Sequence, residues 1–178
     1  MGLPGNVRLK DGRWAVVRRA EPNDAEAWVA NVSRVASERV YLMTEVFRRS
    51  VEEVRIQFAG ADPTQDLWLI AEVDGRIVGG ADFHRGSQSK NAHVAALGIA
   101  LVREYRGLGL GEGVIRAGLA WARELGIRRV RLSVFATNGP ALSLYRKLGF
   151  VEEGRLRGEV ILEGAPVDEV LMALSLDP

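Results

Sequence analysis

The run Arg106-Gly107-Leu108-Gly109-Leu110-Gly111-Glu112 has the residue types needed to hold a phosphate. It lies between an apolar stretch, Val94 to Val102, and an amphipathic one, Leu110 to Leu125, so strand, glycine turn and helix should follow in that order. A helix N-terminus presents unpaired N–H groups and the positive end of the helix dipole. Glycines at that point let the main chain close around an anion with no Cβ in the way. Arg106 adds a fixed positive charge with bidentate reach toward phosphate. The stretch reads as an anion cradle for a pyrophosphate; the alternative is a glycine turn that serves only close packing. Two common phosphate motifs are absent. A dinucleotide fingerprint needs a third glycine where Glu112 or Val114 stands, and no lysine falls between Lys90 and Lys147 to complete a Walker A loop.

Two further residues have chemistry to offer. Tyr145 carries a phenol, and His93 an imidazole whose ordinary pKa near 6.5 suits general-base work. His93 precedes the apolar stretch from Val94, where a surface histidine at a strand end is the competing reading. Glu45 and Glu72 are weaker base candidates.

The elements that must position these groups follow from pattern and punctuation. Residues 1–12, with Pro4 and three glycines, read as a flexible lead-in before one domain over residues 13–178. Trp14 to Arg19 is a strand, and Glu21-Pro22-Asn23-Asp24 opens a helix carrying Trp28, Val32 and Val35. Ser50 with Glu53 makes a capping box for a second helix, Val51 to Phe58. Between the helices, Tyr41 to Phe47 reads either as a pocket lining or as a core-packing loop. Asp74-Gly75 is the strongest hairpin signal, joining Leu67–Val73 to Arg76–Phe83. Gly98, inside the next strand, marks a bulge or a close approach of another backbone. Arg129 to Phe135 is a strand, Asn138 caps a helix that Gly149 stops, and a final strand pair turns at Glu163-Gly164. The order β-α-α-β-β-β-α-β-α-β-β implies a mixed α/β sheet with helices on both faces.

Composition narrows the class. With 47% hydrophobic and 26% charged residues over 178 positions, the chain suits one soluble domain with a real core. A net charge of +1 gives no bulk pull toward nucleic acid or membrane, and Arg128, Arg129, Arg131, Arg155 and Arg157 lack the aromatic interleaving of a nucleic-acid site. The absence of cysteine excludes disulfides, cysteine-held metal and a thiol nucleophile. No apolar run approaches the ~20 residues that span a bilayer, and no apolar signal segment opens the chain. A cytoplasmic protein is expected.

Three pieces occur in fixed order: Leu97-Gly98-Ile99-Ala100-Leu101-Val102, the Arg106–Gly111 cradle, and Asn138 to Phe150 in the form N-x-x-A-x-x-L-Y-x-x-x-G-F. Together, over residues 67–175, they resemble the GNAT superfamily of acetyl-CoA-dependent N-acetyltransferases. The resemblance implies a mainly antiparallel mixed sheet of about seven strands whose fourth and fifth strands splay apart. It implies that the backbone of Ile99, Ala100 and Leu101 bonds the pantetheine arm of acetyl-CoA, and that Gly107, Leu108, Gly109, Leu110, Gly111 and Glu112 hold the pyrophosphate. Asn138 would touch the coenzyme near its thiol, Tyr145 would protonate the departing thiolate, and no metal is expected. A phenol of pKa about 10 can serve as that acid, and a strand N–H as the oxyanion donor.

The base is the departure from the family pattern. The positions where relatives carry a glutamate fall on Ala95 and Ser133. His93 is the candidate in their place; an α-amine of pKa about 8, partly neutral unaided, needs no dedicated base. His93-Val94-Ala95 before Gly98-Ile99, with Glu153-Gly154-Arg155 and Val167 to Met172, looks like bacterial members acting on amino acids and other small amines. The alternatives are a protein N-terminal acetyltransferase of the ribosomal type and a silent acyl-CoA-binding domain. The exposed edges of the last strand pair can join two copies as a homodimer.

Overall fold

A computed structural model describes residues 5–177. Turn and cap residues fall where the chain reverses. The strands are β1 (Asn6–Arg8), β2 (Trp14–Arg19), β3 (Asp66–Val73), β4 (Arg76–Arg85), β5 (Val94–Leu101), β6 (Arg129–Phe135), β7 (Val151–Leu162) and β8 (Ala165–Ser175). The helices are α1 (Ala25–Ala36), α2 (Val51–Ala59), α3 (Leu110–Glu124) and α4 (Gly139–Lys147). Both halves of the Ser50/Glu53 capping box form, and the Asn138 side chain accepts from the Ala141 N–H to cap α4. Asp74 and Gly75 both take positive φ, as a two-residue hairpin turn requires, and Glu163-Gly164 repeats the device.

One sheet runs in the order β1-β2-β3-β4-β5-β6-β8-β7, and every neighbouring pair is antiparallel except β5 with β6. The described residues thus hold eight strands where about seven were expected. The additional strand is β1, which lies in the stretch read as a flexible lead-in. It pairs with β2, and the following Leu9 is buried.

Helices cover both faces. On one, α3 lays Leu110, Val114 and Trp121 against Ala81, Phe83, Leu97 and Val130. On the other, Trp28 of α1 and Phe58 of α2 meet Trp68 of β3 with ring centroids 5.5–5.7 Å apart. Helix α3 sits so close to the sheet that a Cβ at Gly118 would lie 2.0 Å from the Phe83 ring.

Two irregularities shape the centre. In the β3–β4 hairpin Glu72 faces Ile77 while Ala71 faces Gly79, so Val78 is an extra residue on β4. Gly79 makes the bulge possible: its φ is +136°, and a Cβ there would fall 2.2 Å from the Ala100 carbonyl oxygen. The second is the parallel pair. β5 and β6 bond only through Val94–Ala96 and Arg129–Arg131, and beyond those residues they part. Gly98 plays no part as a bulge, since the β4–β5 register is continuous across it.

Candidate active site

The cradle forms at the C-terminal end of β5, where the parting strands open. Gly107 and Gly109 take φ of +73° and +89°, and a Cβ on either would meet nothing within 4 Å. Among the described residues no N–H from Gly107 to Glu112 has an acceptor; the first helical bond of α3 runs from the Gly113 N–H to the Gly109 carbonyl. Six consecutive donors therefore have no protein acceptor among the described residues, at the positive end of a fifteen-residue helix. A diphosphate fits such a place, because its oxygens satisfy donors that would otherwise depend on water. The Lys10 N–H bonds the Leu108 carbonyl at 3.0 Å, so the segment after β1 pins the turn from behind.

Two charged side chains of the cradle segment, Arg106 and Glu112, are already committed. Arg106 turns away from it: Nε donates to the Leu101 carbonyl at 2.8 Å, and the two terminal nitrogens donate to Glu38 at 2.8 and 2.6 Å. Tyr41 stacks on the guanidinium, 4.6 Å from ring centroid to Cζ. Arg106 thus fastens the α1–α2 connection to the end of β5, and the fixed charge read from sequence is spent on a carboxylate. Glu112 pairs with Lys147 and Arg116, and these cations hold its carboxyl below the usual range. Its negative charge is thereby offset beside the row of unpartnered N–H groups.

Between the parting strands lies a cavity of about 420 Å³, lined by Ala96 and Leu97 of β5, Arg131 to Ser133 of β6, and Leu171 and Met172 of β8. Residues from both sheet faces line it, so it passes into the slot itself. The bidentate Arg129–Glu153 pair stands at its closed end.

Tyr145 of α4 is 6% exposed and packs 5.8 Å from the Phe150 ring. Burial pushes its phenol up to about 12. Its hydroxyl has no protein partner among the described residues, yet none of their sealed side-chain polar atoms is left unpaired, so the oxygen keeps access to solvent. A phenol in that state remains protonated throughout the neutral range and is available as a donor.

The structure does not bring His93 to this place. It is exposed at the entry to β5, where its carbonyl accepts from the N–H groups of Arg128 and Arg129. That is the end where β5 and β6 are still paired, and six residues of strand, about 20 Å, separate it from Ile99. Glu45 is an exposed partner of Arg39, and Glu72 joins Arg18. Ala95 is buried beneath α3, while Ser133 lines the cavity.

A cluster that the sequence reading passed over stands beside the slot. The His84 imidazole lies between two carboxylates, with Nδ1 2.6 Å from Asp66 Oδ1 and Nε2 3.0 Å from Asp82 Oδ2. Trp68 packs edge-on against the imidazole at 4.9 Å. Asp82 above all, and Asp66 after it, raise the imidazole to about 9 against the opposing effect of burial. The carboxylates take opposite ring nitrogens and so do not converge, and no metal-holding group of side chains occurs among the described residues. Period-two alternation alone puts Asp82 and His84 on one face of β4; that was the available signal.

Comparison with known proteins gives a consistent picture. Residues 33–150 match the acetyltransferase (GNAT) family. An L-amino acid N-acetyltransferase of Escherichia coli is 25% identical over 174 residues, covering 89% of this chain and 96% of its own. A Bacillus subtilis protein named for phosphinothricin acetyl transfer is 30% identical, covering 90% and 98%. The crystal structure of a GNAT-family acetyltransferase from Streptococcus pneumoniae superposes with a TM-score of 0.85 at 29% identity, over 92% of this chain and 99% of that one.

Proposed function

The chain belongs to the GNAT acetyltransferase family, and from that premise we propose that it moves an acetyl group from acetyl-CoA to the primary amine of an amino acid or other small amino compound. The observation that carries this reading is the row of six unpartnered N–H groups from Gly107 to Glu112 at the mouth of a slot between parallel strands. These amides hold the pyrophosphate. Past their last bond to β6, the main-chain groups of Ile99, Ala100 and Leu101 receive the pantetheine arm, and one of their N–H groups stabilises the oxyanion. Asn138, at the start of α4, borders the thiol end of the coenzyme. Tyr145 gives its hydroxyl proton to the leaving sulfur.

The acceptor class is supported by the two relatives, whose names specify L-amino acids and phosphinothricin. No helix among the described residues is long and apolar enough to cross a membrane.

Release of coenzyme A thiol, measured with acetyl-CoA and a panel of L-amino acids, phosphinothricin and polyamines, tests the proposal. Turnover confined to α-amino acids and phosphinothricin is the expected result. Tight coenzyme binding with no turnover across the panel would favour a silent acyl-CoA-binding domain, a reading that Ala95 and Ser133 motivate. β7 forms one edge of the sheet with Val151 and Ile161 about 60% exposed, and we assign to it the contact of a homodimer. Ile161→Lys should return a sedimenting dimer to monomer.

A further inference from the structure

Neither Ala95 nor Ser133 can act as a base, and His93 stands at the far end of its strand. We propose that Asp82 is the catalytic base, taking the proton from the acceptor's ammonium group, with His84 and Asp66 as the residues that position it. The proposal rests on the acetyl-transfer reading above.

Place in the sheet is the first ground. Asp82 of β4 pairs with Gly98 of β5, the residue just before the Ile99–Leu101 segment and just past the last β5–β6 bond at Ala96. The carboxylate leans over that glycine: a Cβ on Gly98 would lie 2.8 Å from Asp82 Oδ1 and 3.0 Å from Oδ2. Any other residue at position 98 would displace the carboxylate. A strand glycine that occupies no bulge thereby acquires a physical reason, which is to let a carboxylate reach the edge of the slot.

The face is the second ground. Phe83 packs against Trp121 beneath α3, so its neighbour Asp82 projects toward α1 and α2, beside its cross-strand partner Trp68. The carboxylate thus stands across the sheet from α3. An amine entering on the α1–α2 side would meet it before reaching a thioester held in the slot.

The third ground is orientation without obstruction. His84 takes Asp82 Oδ2 on one nitrogen and Asp66 on the other, while Trp68 closes the edge of the imidazole. No described residue donates to Asp82 Oδ1, and the side chain is 27% exposed, so one oxygen lies against the imidazole and the other is open. Ala96, the cross-strand partner of His84, has only a methyl group and leaves the approach from the cavity open.

A small amine arrives as R–NH3+ at neutral pH. Asp82 accepts one proton, which leaves a lone pair on nitrogen. That pair forms the C–N bond at the thioester carbon, and the C–S bond breaks with its electrons on sulfur. Tyr145 protonates the sulfur and is restored by the second nitrogen proton through solvent. Amide and thiol result, and the proton held by Asp82 passes to water.

Asp82→Asn tests the assignment, with folding checked by calorimetric binding of coenzyme A, which should be unchanged. At pH 7 its kcat/KM for the fastest amine in the panel should fall about 100-fold. From pH 6 to 7 the variant's log kcat/KM should climb by about one unit, because it depends on amine already neutral in solution, while the wild type stays flat. The His84 imidazole, followed by NMR, should titrate lower in the variant. Gly98→Ala, which retains the carboxylate but pushes it aside, should also lose rate. His84→Gln should lower kcat alone and add little to Asp82→Asn in the double variant. An Asp82→Asn enzyme with full rate and a flat profile removes the base and leaves the acetyltransferase standing. A wild type that turns over no amine overturns both.

Discussion

Tyr145 and His84 show what one environment does to one ionisable group. Burial acts alone on Tyr145, so its phenol stays protonated to about pH 12 and contributes no alkaline loss of activity below that. Tyr145→Phe should lower kcat about 100-fold while coenzyme affinity, read by calorimetry, stays within twofold. His84 experiences the opposite balance, because two carboxylates outweigh burial and raise it from 6.5 to about 9. A cation favoured by the folded state stabilises it fully below pH 6.5, and that contribution fades as pH rises through about 9. Urea unfolding of wild type and His84→Gln should therefore differ more at pH 6 than at pH 9.5. Equal differences at both pH values would show that the imidazolium adds no stability. Asp24 is the buried counterpart. It accepts two bonds from Arg18 and one from the Glu21 N–H, which together overcome desolvation and hold it below the usual carboxylate range. Asp24→Ala should cost about 1–3 kcal/mol in the same measurement, because it removes both charge-assisted bonds to Arg18, which keeps only Glu72 and the Arg19 carbonyl, and leaves the Glu21 N–H ahead of α1 without its acceptor.

At the scale of elements, α3 must meet two demands at once. Its N-terminus leaves its donors open, and its middle presses on the sheet. Gly109→Val meets no protein atom, so its cost comes from a β-branched residue at φ +89° and from the side chain now standing in the cradle. Coenzyme binding should be lost while the fold persists, as calorimetry and circular dichroism would show together. Gly118→Ala should do the reverse. Its methyl would collide with the fully buried Phe83, costing about 1–3 kcal/mol with little change in coenzyme affinity. Boundaries of α2, α3, β6 and both two-residue hairpin turns were legible in the sequence, because capping box, glycine stop and paired positive φ are local devices. The role of Gly98 was not. A strand glycine has several uses, and the carboxylate it accommodates sits on another strand.

For the whole molecule, the sheet is a wall between two packed layers, with a slot where the parallel pair stops bonding. A coenzyme held as proposed would bridge β5, α3 and α4, so its binding should stabilise the entire fold. Coenzyme A at a hundred times its dissociation constant should add about 2.7 kcal/mol, a rise in melting temperature of about 5–10 °C for a chain of this size. Scanning calorimetry should find that rise in the wild type and none in Gly109→Val. The Arg106–Glu38 pair joins the α1–α2 connection to the same place. From sequence, Arg106 reads as a phosphate ligand because glycines surround it, and no pattern reports that Glu38, sixty-eight residues earlier, returns to claim it.

The sequence by itself determined the strand–cradle–helix unit, the Asn138-to-Phe150 element and hence the family, because each depends on residues close together in the chain. Tertiary structure alone decided which carboxylates stand at the slot. From the Asp74-Gly75 turn, an unbroken ladder would pair Asp66 with Phe83 and send His84 to the opposite face. The extra residue at Val78 shifts the register by one beyond Ala71, and Asp66 then pairs with His84, with Asp82 beside Trp68. That bulge requires Gly79 to pass close under Ala100 of β5, a contact between strands that no local pattern encodes.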